Sequence, residues 1–328
     1  MLVRSLLLCL PLALAGCGKT PSLTGENSPG GVPSPCTEDP GVEGRRRVTR
    51  FALDIPLRGG LSRLQTTVFG PSEDGERISP EGAPFPLVIF SPAAGVSRDQ
   101  YFDYAFRLAN HGMVAVVQSP RAEWDHRLYR DDTLGLLNWL TAPTGADADQ
   151  VRGRVDPARV GLTGHGLGGK VAFLAAGEES RVRAVFGIDP VNTLGASMDN
   201  PSVLPILPRL RSRSGLLGQR RSADIMPSCT PATENYEVFF AALPSPTFAI
   251  TFLTAGHMDF VDDLARCNEC TRCGSGAMDQ HAVHALSVKY TTAFFQVHLQ
   301  GCTGLQGHLT GAAFQRDAAT GLVSVRSK

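Results

Sequence analysis

Past residue 45, short continuous apolar runs alternate with segments of helical periodicity. Residues 48–55 and 64–69 alternate apolar and polar positions, the pattern of a half-buried antiparallel pair opening the domain. Residues 86–90 (PLVIF) and 113–117 are instead apolar without interruption, the mark of strands covered on both faces, and the mostly apolar runs 160–163, 182–188 and 248–253 read as further strands. Between them, Tyr101, Tyr104, Ala105 and Leu108 recur at helical spacing until Gly112, residues 133–140 form a second helix, and a long helix spans 283–299. Strands alternating with helices predict an α/β domain: a mainly parallel sheet of about seven or eight strands with helices on both faces, over residues 46–300, followed by a C-terminal tail at 301–328.

The first residues carry a different pattern. Arg4 precedes an apolar segment, residues 5–14, of signal-peptide length and too short to span a bilayer. It ends in Leu14-Ala15-Gly16-Cys17, which resembles the bacterial lipobox. That resemblance implies a signal peptide over residues 1–16, cleavage before Cys17, diacylation of its sulfur, and a lipid-anchored protein of the cell envelope. Residues 17–45, rich in Pro, Gly, Ser and Thr, are expected to form the lipidated cysteine and a flexible tether.

Composition adds little beyond this. With 31 basic and 31 acidic residues the formal charge is zero, which offers no field for nucleic acid. Leaving aside Cys9 and Cys17, six of the eight cysteines remain: Cys36, Cys229, Cys267, Cys270, Cys273 and Cys302. In an exported chain an even number predicts disulfides, with fifteen possible pairings, and the 267/270/273 trio is expected to include a link to a distant cysteine. In a cytosolic protein the same trio would suggest an iron–sulfur or zinc site.

The chemistry centres on residues 160–177, VGLTGHGLGGKVAFLAAG, a strand, a glycine-rich turn and a helix. Three chemistries compete for it. As a phosphate loop, Gly164 to Lys170, it lacks the hydroxyl after the lysine, where Val171 stands. As a dinucleotide fingerprint, Gly164-x-Gly166-x-x-Gly169, it is helped by Asp189 some twenty residues on, but at least four strands precede it where the fingerprint opens its domain. As a nucleophile elbow, G-x-S-x-G, it has Gly166 in place of serine, and partners follow in the order that fold uses: Asp189 at a strand end, then His257 after the last strand. The loop after residue 90, at Ala93, and the amide of Leu167 would supply an oxyanion hole.

These strings carry a family resemblance. FSPAAGVSRDQYFDYAFRLANHGMVAVV resembles bacterial α/β hydrolases similar to platelet-activating-factor acetylhydrolases and dienelactone hydrolases. GHGLGGKVAFLAAG, AVFGIDPV and AGHMDFVDD resemble most the chlorophyllase branch, over about residues 80–265. The resemblance implies the α/β-hydrolase fold, carboxylic-ester hydrolysis by Ser, Asp and His without metal or cofactor, and an ester-like or other apolar small molecule as ligand. Carried across, Asp189 is the acid (Asp224 the second choice), His257 the base, and Gly166 the nucleophile position without a side chain. Thr163, His165 and Ser91 do not replace the missing hydroxyl: the first precedes the turn, the second points elsewhere and the third leaves another strand. The expectation is an ester-hydrolase scaffold impaired or inactive in catalysis. The alternatives are an active esterase using another nucleophile or an activated water, and a dinucleotide-binding oxidoreductase. Asp259, Asp262 and Asp263 are expected to be helix-start and surface residues.

Overall fold

The computed structural model describes residues 35–142, 151–193, 200–220 and 229–328. Cys17, Asp224 and the proposed signal segment lie outside them. The chain enters as a long antiparallel hairpin, β1 (Arg47–Leu57) and β2 (Ser62–Ser72). Then β3 (Phe85–Ser91), α1 (Phe102–Asn110), β4 (Val114–Gln118), α2 (His126–Thr141), β5 (Val155–His165), α3 (Leu167–Glu178), β6 (Val182–Ile188), β7 (Arg213–Gln219), α4 (Tyr236–Ala242) and β8 (Thr247–Phe252) alternate along the chain. The long α5 (Gln280–Leu299), the short α6 (Gly307–Thr310) and α7 (Ala312–Ala318), and a final strand β9 (Val323–Ser327) complete the fold.

The nine strands lie in the order β1-β2-β4-β3-β5-β6-β7-β8-β9. Six, from β4 to β8, run parallel, and antiparallel strands close each edge. The sheet is thus an α/β-hydrolase sheet of nine strands where seven or eight were expected; β7 and β9 match none of the seven segments named from the sequence. β9 lies inside the stretch expected to be a tail. Its Val-Ser-Val-Arg-Ser sequence is too short and polar to stand out, and pairing with β8 supplies the partner that orders it.

Each central strand is buried on both faces because its alternate residues feed two cores. Val88 and Phe90 of β3 join the core under α1 and α5, whereas Leu87 and Ile89 join the one under α2, α3 and α4. Ala115 and Val117 of β4 divide from Val114 and Val116 in the same way. α1 stops at Gly112, whose φ of +88° suits glycine. Asp125 caps α2 by accepting from the amides of Arg127 and Leu128, and Asp279 caps α5 through the amide of Ala282.

Residues 36–45, counted by composition with the tether, pack onto the domain. Cys36 is bonded to Cys302, and the carbonyls of Pro40 and Val42 accept from Arg107 Nη1 (3.1 Å) and His111 Nε2 (3.0 Å). The other two disulfides are Cys229–Cys273 and Cys267–Cys270, so all six of these cysteines are paired, and the trio does reach a distant partner. No helix among the described residues is long and apolar enough to cross a membrane.

Candidate active site

β3 connects to β4 on one side of it while β5 pairs on the other, so the chain diverges at the carboxyl ends of β3 and β5. In open α/β sheets that divergence leaves a crevice. Three loops meet there: the one leaving β3, the β5–α3 turn, and the one leaving β8.

The turn hinges on Gly166, with φ 54° and ψ −120°, immediately before α3. Such a conformation is free for glycine and costs a residue with a side chain roughly 1–3 kcal/mol. The neighbouring glycines answer to close approach. A Cβ on Gly168 would lie 2.0 Å from the carbonyl oxygen of Ser91, and one on Gly164 2.5 Å from the backbone of Gly168. The glycine pattern is therefore used to press α3 against the β3 loop. The atoms packed on Gly168 are carbonyl oxygens of Ser91 and Pro92, which repel a phosphate where a dinucleotide fingerprint would admit one.

Asp189 follows β6 and also has positive φ, 41°. Its carboxylate is fully buried and accepts from Gln219 N (3.3 Å), Gln219 Nε2 (3.2 Å) and His257 Nδ1 (2.7 Å). His257 sits in a short helical turn, His257–Phe260, after β8. The loop holding it is tied by Asp259, a residue expected at the surface but in fact buried. Its Oδ2 accepts from the amides of Gly256 (2.7 Å) and Gly276 (3.0 Å). Asp263 does cap the next turn, through Ala265 and Arg266.

Because a carboxylate only accepts, Nδ1 of His257 carries the proton, and Nε2 of the neutral ring holds a lone pair. Nε2 makes no hydrogen bond among the described residues. It faces Gly166: a Cβ there would lie 3.0 Å from Nε2, 3.2 Å from Cε1 and 3.4 Å from Ala93 Cβ.

His165, expected to point elsewhere, is fully buried beneath His257, their ring centroids 4.6 Å apart. Its Nε2 lies 2.9 Å from the carbonyl oxygen of His257, and its Nδ1 lies 2.9 Å from Tyr101 Oη. Burial and the neighbouring His257 hold its pKa well below the usual imidazole value, so the ring is neutral. A carbonyl can only accept; Nε2 therefore carries the hydrogen, and Nδ1 accepts from the tyrosine O–H. Tyr101 Oη in turn accepts from the amide of Ala93 (3.3 Å). One directed chain thus joins the β3 loop, the turn and the histidine loop.

That chain engages one of the two amides expected to be oxyanion donors. The Ala93 amide is turned toward Tyr101, while the next one, Ala94, makes no hydrogen bond among the described residues. Ala94 and Leu167 line a small apolar cavity of about 150 Å³ with Val191, Met258, His257 and the Cys229–Cys273 disulfide, and half-exposed Trp124 stands at it. A larger cavity of about 430 Å³, lined by Arg213, Phe248 and His298, lies by the opposite ends of β7 and β8 and contains neither His257 nor Asp189.

Ser91 and Thr163 are held away from the reacting position: Ser91 Oγ accepts from Gln118 Nε2 (2.7 Å), and Thr163 Oγ1 donates to the Phe186 carbonyl (2.8 Å). Lys170, one turn into α3, is buried with Nζ donating to Thr193 O (2.7 Å) and His126 Nδ1 (3.1 Å). Burial lowers its amine to about 8 and, with the lysine's charge, His126 to about 4.

Sheet order, a positive-φ turn between β5 and α3, an acid after β6 and a histidine after β8 define an α/β-hydrolase. A family model described as Chlorophyllase matches residues 71–305, and the chain belongs to the chlorophyllase family. Among characterised proteins it is 26% identical to Chlorophyllase-1 of Arabidopsis thaliana over 201 residues, 55% of this chain and 60% of that one, so the match spans less than two thirds of the relative. Among solved structures, a ferulic acid esterase from Streptomyces cinnamoneus superposes with a TM-score of 0.59 at 21% identity, over 78% of this chain and 90% of that one. This second likeness is one of fold.

Proposed function

We propose that this is a lipid-anchored, ester-binding member of the chlorophyllase family in which Gly166 stands at the nucleophile position. It does not form a serine acyl-enzyme. The observation that carries this is the pairing of Gly166 at φ 54° with an oriented His257–Asp189 dyad whose Nε2 faces it. Backbone, base and acid are arranged as a serine hydrolase needs them, and only the hydroxyl is missing. Leu167 supplies one oxyanion amide, and Ala94 the second in place of Ala93. The ligand is an apolar small molecule with an ester carbonyl, placed in the cavity between Leu167, Met258 and Trp124.

In the second reading, His257 draws a proton from water and the protein hydrolyses esters slowly. The unpartnered Nε2 favours it, since a general base needs only a water in hydrogen-bond reach. Anchoring at Cys17 in the cell envelope rests on the Leu14-Ala15-Gly16-Cys17 string.

A serine-directed fluorophosphonate tests the main reading. No serine of the native chain is expected to be labelled while a non-hydrolysable ester analogue still protects the Trp124 fluorescence from quenching; labelling of any serine in the site overturns it. Radiolabelled palmitate fed to a bacterial host expressing the full chain tests the anchor, and incorporation unaffected by Cys17→Ala would refute it.

A further inference from the structure

We propose that His257 is itself a nucleophile toward activated acyl donors, aryl esters and thioesters, through a transient Nε2-acylhistidine. The inference rests on Gly166 being the nucleophile position and goes beyond it by giving the bare site an activity and a substrate class.

Three features carry it. The first is access. In a serine-bearing site the hydroxymethyl group stands between the imidazole and the substrate carbonyl. Here only Cα is present, and Nε2 lies 3.0 Å from where even the first side-chain carbon would sit. The second is the lone pair. Nδ1 donates to Asp189 at 2.7 Å, and Nε2 has no hydrogen-bond partner among the described residues although it lines the cavity. The third is charge. Attack generates an oxyanion, for which the Leu167 amide opens α3, and an N-acylimidazolium, whose positive charge lies against the buried Asp189 carboxylate. His165 fixes the ring from behind through the His257 carbonyl, so attack needs no reorientation of the loop.

The step balances without a co-reactant other than water. The Nε2 lone pair forms a C–N bond to the acyl carbon, and the carbonyl π electrons move to oxygen. Collapse of that oxyanion breaks the C–O or C–S bond and expels a phenolate or thiolate. Water then adds to the acyl carbon and the C–N bond breaks, returning its electron pair to Nε2. One water proton goes to the departed anion, and the carboxylic acid leaves.

The same partitioning sets the substrate class. Thiols and phenols ionise near about 8.5 and 10 and compete with imidazole as leaving groups. An alkoxide is far more basic, so an alkyl-ester adduct reverts by losing the imidazole. The small cavity beside Leu167 and Met258 suits a short acyl group.

The test uses the full chain with 4-nitrophenyl acetate and with 4-nitrophenyl trimethylacetate, whose hindered acyl group is released slowly. Native protein is expected to liberate 4-nitrophenolate at least tenfold faster than His257→Ala and not to cleave ethyl acetate. Acid-quenched peptide mapping is expected to find the acyl mass on the His257 peptide in excess of that on exposed His281. Phenolate release without acyl-His257, even with the hindered ester, overturns the proposal in favour of water activated by the same ring. Release unchanged in His257→Ala overturns it as well. Should His257→Ala not fold, the peptide map of native protein decides alone. Gly166→Ser keeps the two readings apart. If that variant is active while native protein forms no adduct, the nucleophile position stands and the acylhistidine falls; if native protein forms the adduct while Gly166→Ser is inert, the reverse holds.

Discussion

Replacing Gly166 by serine is expected to raise ester hydrolysis by orders of magnitude while making the protein less stable. The new Cβ enters at φ 54°, a conformation costing roughly 1–3 kcal/mol with a side chain. It also meets His257 Nε2 at 3.0 Å and Cε1 at 3.2 Å, so the ring must recede by a few tenths of an ångström, pivoting on its 2.7 Å bond to Asp189. The Ala93 methyl, 3.4 Å away, is in ordinary contact and does not resist. For a domain of this size 1–3 kcal/mol corresponds to a fall in Tm of roughly 2–10 °C. The hydroxyl then stands beside a base held by a carboxylate, and a general base typically contributes about 10²–10⁴-fold. Calorimetry and 4-nitrophenyl butyrate turnover measure the two effects on one sample. Gly166→Ala supplies the control, since it brings the same strain and no hydroxyl. It is expected to match the Tm loss and gain no activity, and Gly166→Ser with His257→Ala is expected to lose the gain. A serine variant that folds, binds ester analogues and neither turns over ester nor takes up phosphonate would refute the reasoning. So would a serine variant with a higher Tm than native protein.

Tyr101→Phe leaves His165 Nδ1 buried without its donor and is expected to cost about 1–3 kcal/mol, read from denaturant midpoints. Nitrogen-15 spectra should show His165 neutral and protonated at Nε2 down to pH 5, and protonation at Nδ1 in that range would contradict the directed chain. Among the disulfides, loop entropy ranks Cys36–Cys302, closing 266 residues, above Cys229–Cys273 with 44 and Cys267–Cys270 with 3. Paired alanine replacements are expected to lower unfolding midpoints in that order, at roughly 5.5, 4 and 1.5 kcal/mol. His126 and His298, both lowered to about 4 by burial, and His165 keep folded pKa values below that of the unfolded chain. Their contribution is whole above about pH 6.5, and from there down through the folded pKa each withdraws about 1.4 kcal/mol per pH unit. Tm measured from pH 7.5 to 5 should therefore fall on acidification, and a flat profile would mean these rings protonate in the fold.

The central sheet was legible because burial on both faces writes itself as mostly apolar runs; residues 182–188, apolar but for the exposed Arg183, coincide with β6 to the residue. The dyad was legible because Asp189 and His257 sit in strings with a family resemblance, Ile-Asp-Pro and Gly-His-Met-Asp. What escaped depends on distance in space. Nothing adjacent to His165 signals that its ring lies between Tyr101, 64 positions earlier, and the His257 carbonyl, 92 later. The burial of Asp259 follows from amides at Gly256 and Gly276 that only the folded loop brings together. Ala93 and Ala94 are chemically identical in sequence, and the direction of each amide is a property of the turn.

The bond between Cys36 and Cys302 also decides how the domain bears mechanical load. The chain preceding Cys36 would otherwise pull on β1, an edge strand that could be peeled from β2 one hydrogen-bonded pair at a time. With the sulfur bridge in place, tension arriving from residue 35 divides at Cys36 and passes covalently to the end of α5. That helix is packed through Phe294 and Tyr290 into the core, so the load is passed to the core and not to the edge strand alone. A domain pulled by its N-terminal segment would resist extension until the disulfide is reduced, and would then yield from the hairpin inward.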